Sequence, residues 1–404
     1  MKKTLSYLIG FIYIILISSC NSNAKQGWTI SVLPSSVRLD PVSNEIIESR
    51  FTGSNNSKAN YKNLLQSNWI YDGEKVNLYG AKGEYVSFQL VITRNSIPEL
   101  TEIKLEMPPF SNEDRKLGID PEMFLEWSVE IQTPSTGYPK ASLGVGWYPD
   151  ALIPIDRIET DTSKLGRTWI YPLILPDFNN RIKDQQSLIL WVDQFIPYSD
   201  DNQISSGNYK TSISVSIGEE VKEIPIELKV WNFDLPNENL LKASLQHEGF
   251  LSGTSEEKEL EIYQLFKRNR IGLMDPTYKP GLKVSENGKV DIEWDNFDKR
   301  LSKYLTGDAF TESHGYSYGP GYGEPIETFA LPFDVYGKHD TKGWPDIGEP
   351  DIERNPENIG LYVGVIRDVR NHLNSIINPH KTELTVYLNG LDESYFPEAW
   401  DRMV

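Results

Sequence analysis

Polar and acidic side chains follow four short apolar stretches that we predict to be β-strands in the second half of the chain. The strands are expected at about 243–247, 271–274, 308–311 and 384–388. Residues that follow parallel strands gather at one edge of the sheet, where barrel enzymes carry their reacting groups. This placement singles out five candidates: Glu248, His314, Asn389, Asp392 and Glu393.

Asp392 and Glu393 are the pair best suited to acid–base catalysis. Two adjacent carboxylates where a strand becomes a loop can reach one site, and the charge of one raises the pKa of the other. A carboxyl with a raised pKa suits a general acid. Residue chemistry alone favours a second interpretation at this point, in which Asp392 caps the next helix and Glu393 lies in its acidic first turn.

Helices are expected between these strands. Residues 255–268 have an acidic first turn and a basic last turn, as the helix dipole favours. Residues 295–305 show an apolar face behind an expected Asp295 N-cap, and residues 356–377 carry five apolar side chains on one side. The pattern predicts about four β/α units, which is half of a (β/α)₈ barrel.

The first half of the chain has a different pattern of apolar and polar residues. Stretches such as 85–92, 124–131 and 209–217 alternate apolar and polar residues, which is typical of half-buried antiparallel strands. Strands without long helices between them favour an antiparallel β-sandwich. Three tryptophans within these strand patterns are expected in its core: Trp127, Trp191 and Trp231.

The predicted fold class is therefore a multi-domain β plus α/β protein, with an N-terminal antiparallel β-sandwich followed by a partial (β/α)₈ TIM-type barrel. We place the sandwich at 61–238 and the barrel-like domain at 239–404, after a tether and N-terminal segment at 21–60. A closed barrel takes about 250 residues. Either the sequence is truncated within the barrel, or a layer of four units is stabilised by packing on the sandwich; we expect truncation.

The first twenty residues read as an export signal. Two lysines precede a short apolar run that ends in Ser-Ser-Cys at 18–20. The sequence around Cys20 resembles a bacterial lipobox, in which the cysteine is lipidated; the alternative is an ordinary secretory signal with an incidental Cys. We expect an exported protein that is lipid-anchored to the cell envelope, at the outer membrane.

Composition excludes several classes of function. The formal net charge of −18 opposes binding to a phosphate backbone, so nucleic acid is not an expected partner. A single Cys allows neither an intramolecular disulfide nor a Cys-based zinc site, and the spacing of the five His fits no metal motif. We expect neither a metal nor a cofactor.

Several stretches, in their order along the chain, resemble bacterial glycoside hydrolases of family 123 and the related domain-of-unknown-function family 4091. They are residues 80–91, 147–154, 190–193 with 207–209, and 230–236. This family joins a β-sandwich to a (β/α)₈ barrel. The resemblance places the family's catalytic Asp-Glu pair on Asp392 and Glu393.

The resemblance implies a β-N-acetylgalactosaminide hydrolase that works by substrate-assisted, retaining catalysis. The 2-acetamido oxygen of the substrate would attack its own anomeric carbon, Glu393 would act as acid and then base, and Asp392 would orient the acetamido group. The implied partner is an oligosaccharide or glycoconjugate.

Aromatic residues after the third predicted strand fit a sugar-binding rim. Tyr316 lies in a Tyr- and Gly-rich segment at 314–325, and Trp344 is a further candidate. Their ring faces could stack on sugar C–H surfaces. The alternative is a surface loop whose tyrosines pack on one another.

The competing function is a non-catalytic glycan-binding or scaffold lipoprotein, which the missing half of the barrel would favour.

Overall fold

The computed structural model describes fourteen stretches of the chain, which contain all the elements below. They are residues 27–50, 61–95, 101–113, 115–134, 142–157, 173–177, 180–199, 204–242, 244–245, 253–273, 279–285, 289–331, 344–345 and 356–385. Within these stretches the chain forms two compact units. Unit 1 comprises Met1–Tyr79, Val86–Gln194 and Asn208–Lys229, and unit 2 comprises Gly80–Tyr85, Phe195–Gly207 and Val230–Val404. The sequence-based domain bounds remain predictions.

Two five-stranded sheets hold ten of the strands. The first sheet has the order β1-β3-β8-β5-β6, with β1 at Trp28–Pro34, β3 at Glu84–Arg94, β8 at Ser187–Ile196, β5 at Glu122–Ile131 and β6 at Gly146–Pro154. The second has the order β2-β10-β9-β4-β7, with β2 at Val76–Lys82, β10 at Glu220–Asp234, β9 at Gly207–Ile217, β4 at Thr101–Glu106 and β7 at Ile174–Leu175. Antiparallel ladders join β1 to β3, β5 to β6 and β8, and β4 to β7 and β9.

The first sheet is buried on both faces at its centre. Leu33, Val91 and Ile189 pack on one face in an apolar cluster with residues of the 37–64 region. Val32 and Leu90, paired across β1 and β3 with side chains on the opposite face, are buried as well. Strand β10 of the second sheet instead alternates buried and exposed residues. Two largely antiparallel sheets with these apolar faces have the pattern of a β-sandwich.

Unit 2 contains strands and helices in alternation. Four short strands, β11 (Ser244–Leu245), β12 (Gly272–Leu273), β15 (Thr328–Ala330) and β16 (Glu383–Thr385), are separated by helices α1 (Glu256–Arg268), α2 (Asp295–Thr306) and α3 (Pro356–Ile376). Parallel pairing joins β11 to β12 and β15 to β16, and β12 lies beside β15. A hairpin of β13 (Gly281–Val284) and β14 (Val290–Glu293) precedes α2.

The predicted strands 85–92, 124–131 and 209–217 and the three predicted helices are confirmed, with small differences at their ends. The expected Asp295 cap is wrong, because Trp294 occupies the N-cap position. A (β/α)₈ barrel is not confirmed: the described residues give two pairs of short parallel strands, with helices between the strands.

The predicted third strand at 308–311 is also wrong. Asp308–Phe310 forms a 3₁₀ helix, and the strand of this unit lies at β15. Gly307 explains the change, since its φ of 93° ends α2 in a left-handed turn. A Cβ there would lie 2.4 Å from the Gly323 carbonyl oxygen, so only glycine fits. The apolar side chain of Phe310 therefore reflects core burial in a turn.

Two segments that include strand ends of the sheets, Gly80–Tyr85 and Phe195–Gly207, belong to unit 2. The Tyr85 hydroxyl accepts hydrogen bonds from Arg268 Nε at 3.0 Å and Nη2 at 2.8 Å. Phe195 stacks on Tyr318 with ring centroids 5.8 Å apart. Unit 2 is therefore built from three separate segments of the sequence.

Candidate functional site

Five of the predicted site residues lie outside the described residues: Glu248, Asn389, Asp392, Glu393 and the lipidation candidate Cys20. Strand β11 ends three positions before Glu248, and β16 ends seven positions before Asp392. Their roles remain predictions.

His314 ends a short 3₁₀ helix, Glu312–His314. Its Nδ1 lies 3.1 Å from Ser313 Oγ, and its backbone carbonyl accepts a hydrogen bond from Gln264 Nε2 at 2.9 Å. Gln264 also donates to the Ala309 carbonyl at 2.8 Å. Helix α1 therefore fixes the backbone at His314 while its side chain stays half-buried.

Tyr316 is engaged within unit 2 on both its ring and its hydroxyl. The hydroxyl donates to the Pro320 carbonyl at 2.6 Å, and the ring contacts Phe310 edge-on. Burial raises the pKa of the Tyr316 phenol. Tyr318 of the same segment stacks on Phe195, so both tyrosines pack against phenylalanine rings of unit 2.

Trp344 belongs to the same apolar cluster as Tyr316. Its indole Nε1 donates to the Pro280 carbonyl at 3.0 Å, and the side chain is buried. The structure thus brings two predicted aromatic candidates into one core, with His314 close by in sequence. Their substrate-binding role remains a prediction.

Charged residues collect at the edge where the unit 2 strands begin. Lys267 Nζ bonds Glu327 Oε1 at 2.6 Å and the Pro325 carbonyl at 2.7 Å, directly before β15. Burial lowers the pKa of the Lys267 ammonium, although Glu327 acts against that shift. Lys381, two positions before β16, pairs with Glu324 and with Glu238. In β/α folds this edge stabilises the structure, whereas chemistry takes place at the opposite edge.

One buried carboxyl group in unit 1 was not predicted from the sequence. Glu126 lies in β5 beside a cavity of about 10 Å³, with its Oε1 and the hydroxyl of Ser128 making no hydrogen bond in the described part of the chain. Burial raises the pKa of Glu126 to about 7. A simple alternation of apolar and polar residues would place Glu126 on the solvent side of β5. In the structure, however, the consecutive residues Leu125 and Glu126 are both buried. No sequence signal distinguishes such a strand from a half-buried one.

The expected core position of Trp231 is wrong. Its side chain is 41% exposed and stacks on Phe233, which is 52% exposed, with ring centroids 5.8 Å apart and planes 17° apart. The two alternate with buried Val230 along β10, so they lie on the outer face. The spacing of the two aromatics in "WNF", at i and i+2, indicates only that they share a face of the strand, not that this face is exposed.

Among the described residues, no group of three or more His, Cys, Asp or Glu side chains is arranged to hold a metal ion. Nor does this part of the chain contain a helix with the length and apolar character needed to span a membrane.

No protein-family model matches the sequence, and no curated protein matches it. One similar solved structure is a family 123 glycoside hydrolase from Clostridium perfringens, with 12% identity and a TM-score of 0.44 over 75% of this chain and 48% of that one. The chain therefore spans about half the length of that protein.

Two further structures are less similar. The CooA pilin subunit from enterotoxigenic Escherichia coli has 11% identity and a TM-score of 0.21 over 42% of this chain and 97% of that one. The sialic acid binding region of a Streptococcus sanguinis SK1 adhesin, bound to 3'sLn, has 13% identity and a TM-score of 0.18 over 55% of this chain and 42% of that one. All three scores are too low to assign a family or a function.

Proposed function

We propose that this protein is a glycoside hydrolase-like lipoprotein that cleaves N-acetyl-β-hexosaminides of the β-N-acetylgalactosaminide type. The observation that supports the proposal is the order of unit 2, in which four short strands alternate with three helices and pair in parallel. We propose that they form the first four units of a partial (β/α)₈ barrel, whose carboxyl edge carries the reacting groups.

The direction of the strands supports the placement of the acids. Lys267 and Glu327 mark the amino edge, since β15 begins directly after Glu327. Asp392 and Glu393 come after β16 in the sequence, on its carboxyl side. We therefore propose that the reacting pair lies at the edge of the layer opposite to the charged network.

In the proposed reaction the acetamido oxygen of the substrate attacks the anomeric carbon, and the bond to the leaving oxygen breaks. Glu393 gives its proton to that oxygen and later removes a proton from the attacking water. Asp392 accepts a hydrogen bond from the acetamido N–H and stabilises the positive charge that develops there. No enzyme nucleophile is required, which is a known exception to the two-carboxylate scheme.

The test is release of the aryl group from an aryl N-acetyl-β-galactosaminide by the full chain. Loss of a general acid costs about 10²–10⁴-fold in rate, so Glu393→Gln and Asp392→Asn should both lose activity on that scale. Glu383→Gln is the matched control, because Glu383 is an exposed carboxylate at the start of β16. Absence of release by the parent chain, or an unchanged rate in Glu393→Gln, would overturn the proposal.

The second candidate is a non-catalytic glycan-binding protein, and the exposed Trp231–Phe233 stack favours it. Aromatic faces in water can cover the C–H face of a sugar and bury apolar area. This candidate predicts saturable glycan binding without hydrolysis, weakened in Trp231→Ala and retained in the control Tyr79→Ala, which removes an exposed aromatic of β2.

We also propose that Cys20 is lipidated and anchors the exported protein at the outer membrane. Metabolic labelling with a radioactive fatty acid should mark the parent chain and fail to mark Cys20→Ser, which should also leave the membrane fraction. Equal labelling of both proteins would refute the anchor.

A further inference from the structure

A cleft in unit 1 has the dimensions of a ligand site. Its volume is about 400 Å³, within the range of ~300–1,000 Å³ that is typical of small-molecule sites. Its walls are two segments, residues 44–49 and 61–66, and all the described residues that line it belong to unit 1. None of them was a candidate from the sequence.

The floor of the cleft is fixed to the first sheet. Ile46 and Leu64 belong to the buried cluster that includes Leu33 and Ile189, and Tyr61 packs against this cluster. The aromatic ring of Tyr61 is half-buried, so part of it remains accessible. A ring held on a rigid floor loses little conformational entropy when a ligand covers it.

One wall carries a carboxylate in a fixed orientation. Glu45 Oε2 accepts a hydrogen bond from Arg50 Nε at 3.0 Å, and Glu45 Oε1 accepts one from Ser49 Oγ at 3.2 Å. Arg50 also binds Asp40 at 2.6 Å. A carboxylate can accept about four hydrogen bonds, so Glu45 retains acceptor capacity for a ligand hydroxyl.

The opposite wall carries amides. Asn63 and Gln66 line the cleft with exposed side chains, each of which can both donate and accept. Asn63 has a φ of 74°, and its carbonyl accepts the backbone N–H of Gln66 at 2.8 Å. This turn fixes the backbone from which the two amides project.

The charges around the cleft favour a neutral ligand. Of the described residues that line the cleft, Glu45 and Lys62 carry formal charges, and these sum to zero; the Asp40–Arg50 pair, which is bonded to Glu45, adds no net charge. Arg50 is already bonded to both carboxylates, so its charge is neutralised before a ligand arrives. An apolar ligand would desolvate the amides and the carboxylate without bonding them, which is costly.

We propose that this cleft binds a neutral sugar, whose hydroxyls bond Glu45, Asn63 and Gln66 and whose C–H face covers Tyr61. The proposal goes beyond the proposed function, because it assigns a non-catalytic sugar site to the unit that does not contain Asp392 and Glu393. Hydrolysis and binding are measured by different readouts, so one proposal can fail while the other holds.

The experiment is saturation-transfer difference NMR on the full chain, followed by isothermal titration. The probes are galactose and N-acetylgalactosamine, an oligosaccharide that ends in the sugar that binds, and anionic glucuronate. We expect saturable binding of a neutral sugar. Equal affinity for monosaccharide and oligosaccharide would indicate a site for a terminal residue, and tighter oligosaccharide binding would indicate an extended glycan site; both support the proposal.

Variants locate the binding in the cleft. A net hydrogen bond contributes about 0.5–1.5 kcal/mol, equivalent to ~2–13-fold in affinity. Asn63→Gly, which keeps the left-handed turn, and Gln66→Ala should each weaken binding on that scale. Tyr61→Ala should weaken it by about tenfold or more, and Tyr61→Phe should retain most of it. If Tyr61→Ala fails to fold, Asn63→Gly and Gln66→Ala still test the cleft.

Tyr79→Ala and Gln132→Ala are the matched controls, because they remove an aromatic and an amide of unit 1 that do not line the cleft. Their binding should equal that of the parent chain. The proposal is overturned if no neutral sugar binds, if glucuronate binds more tightly than the neutral sugars, or if the cleft variants bind like the controls.

Discussion

Both units bury carboxylates beside cations, as Asp40 does beside Arg50 in unit 1, but unit 1 also buries a glutamate, Glu126, whose raised pKa has no cation among its causes. In unit 2, Glu327 and Glu259 are buried next to cations, Lys267 at 2.6 Å and Arg300 at 2.6 Å. In unit 1, burial raises the pKa of Glu126 to about 7, with no cation among the causes of the shift. A buried carboxyl must be paired or protonated, since an unpaired buried charge is costly. Pairing with a cation fixes the geometry of the carboxylate over a wide pH range. Burial in the protonated form makes the stability of the fold depend on pH.

Breaking the Lys267–Glu327 pair should have the largest effect. Glu327→Leu leaves the Lys267 ammonium buried without its partner, which costs about 3–5 kcal/mol. Urea unfolding monitored by circular dichroism measures the loss. The double variant Lys267→Met/Glu327→Leu should recover most of the stability, because it removes both buried charges. A single variant within about 1 kcal/mol of the parent would show that the pair is not effectively buried.

Glu126→Gln should have the next largest effect, and only at higher pH. The unfolded state releases the Glu126 proton near pH 4.5 and the folded state near pH 7, so the parent chain loses stability between these values as the pH rises. At pH 8 the full penalty is up to about 3 kcal/mol, from 1.36 kcal/mol per pKa unit. The variant should be more stable than the parent at pH 8 and show no such advantage at pH 4.

Urea unfolding at pH 4, 6 and 8 measures this difference. Glu130→Gln is the matched control, because Glu130 lies in the same strand and is exposed. Parallel pH profiles for Glu126→Gln and the parent would remove the contrast between the units.

The smallest effect concerns one helix end in unit 2. Ser255 Oγ accepts the backbone N–H of Lys258 at 3.2 Å and caps α1. Ser255→Ala should cost about 1 kcal/mol, and Ser255→Asp should retain the cap. Lys258→Ala, which breaks only the exposed pair with Glu261, should stay within about 0.5 kcal/mol. Thermal unfolding of the three variants measures this order, and a larger loss in Lys258→Ala than in Ser255→Ala would contradict it.

The parts of the fold that depend on local periodicity could be predicted from the sequence. Helix α3 extends from Pro356 to Ile376, against an expected 356–377, because five apolar side chains repeat along one face. Residues 308–311 could not be assigned in this way. Their apolar side chains are equally compatible with a strand and with a buried turn, and the Gly307–Gly323 approach that decides between them is tertiary.

The candidate sites divide in the same way. Asp392 and Glu393 were singled out by their adjacency and by the family resemblance, and their role stays a prediction because both lie outside the described residues. The cleft lined by Glu45 and Tyr61 could not be predicted in this way, because tertiary packing of its walls on the first sheet forms it. The position of Trp231 was predicted wrongly for a related reason. Alternation along β10 shows which residues share a face of the strand, but not which face is exposed to water.

The segmented composition of unit 2 has a consequence for how the protein can be inherited. Tyr85 lies at the start of β3 and Phe195 at the end of β8, yet both belong to unit 2 and contact Arg268 and Tyr318 within it. A gene fusion with one breakpoint after β10 would move the helices and leave those two strand ends behind. The β/α part would keep these contacts in an exchange between genes only if all three segments moved together.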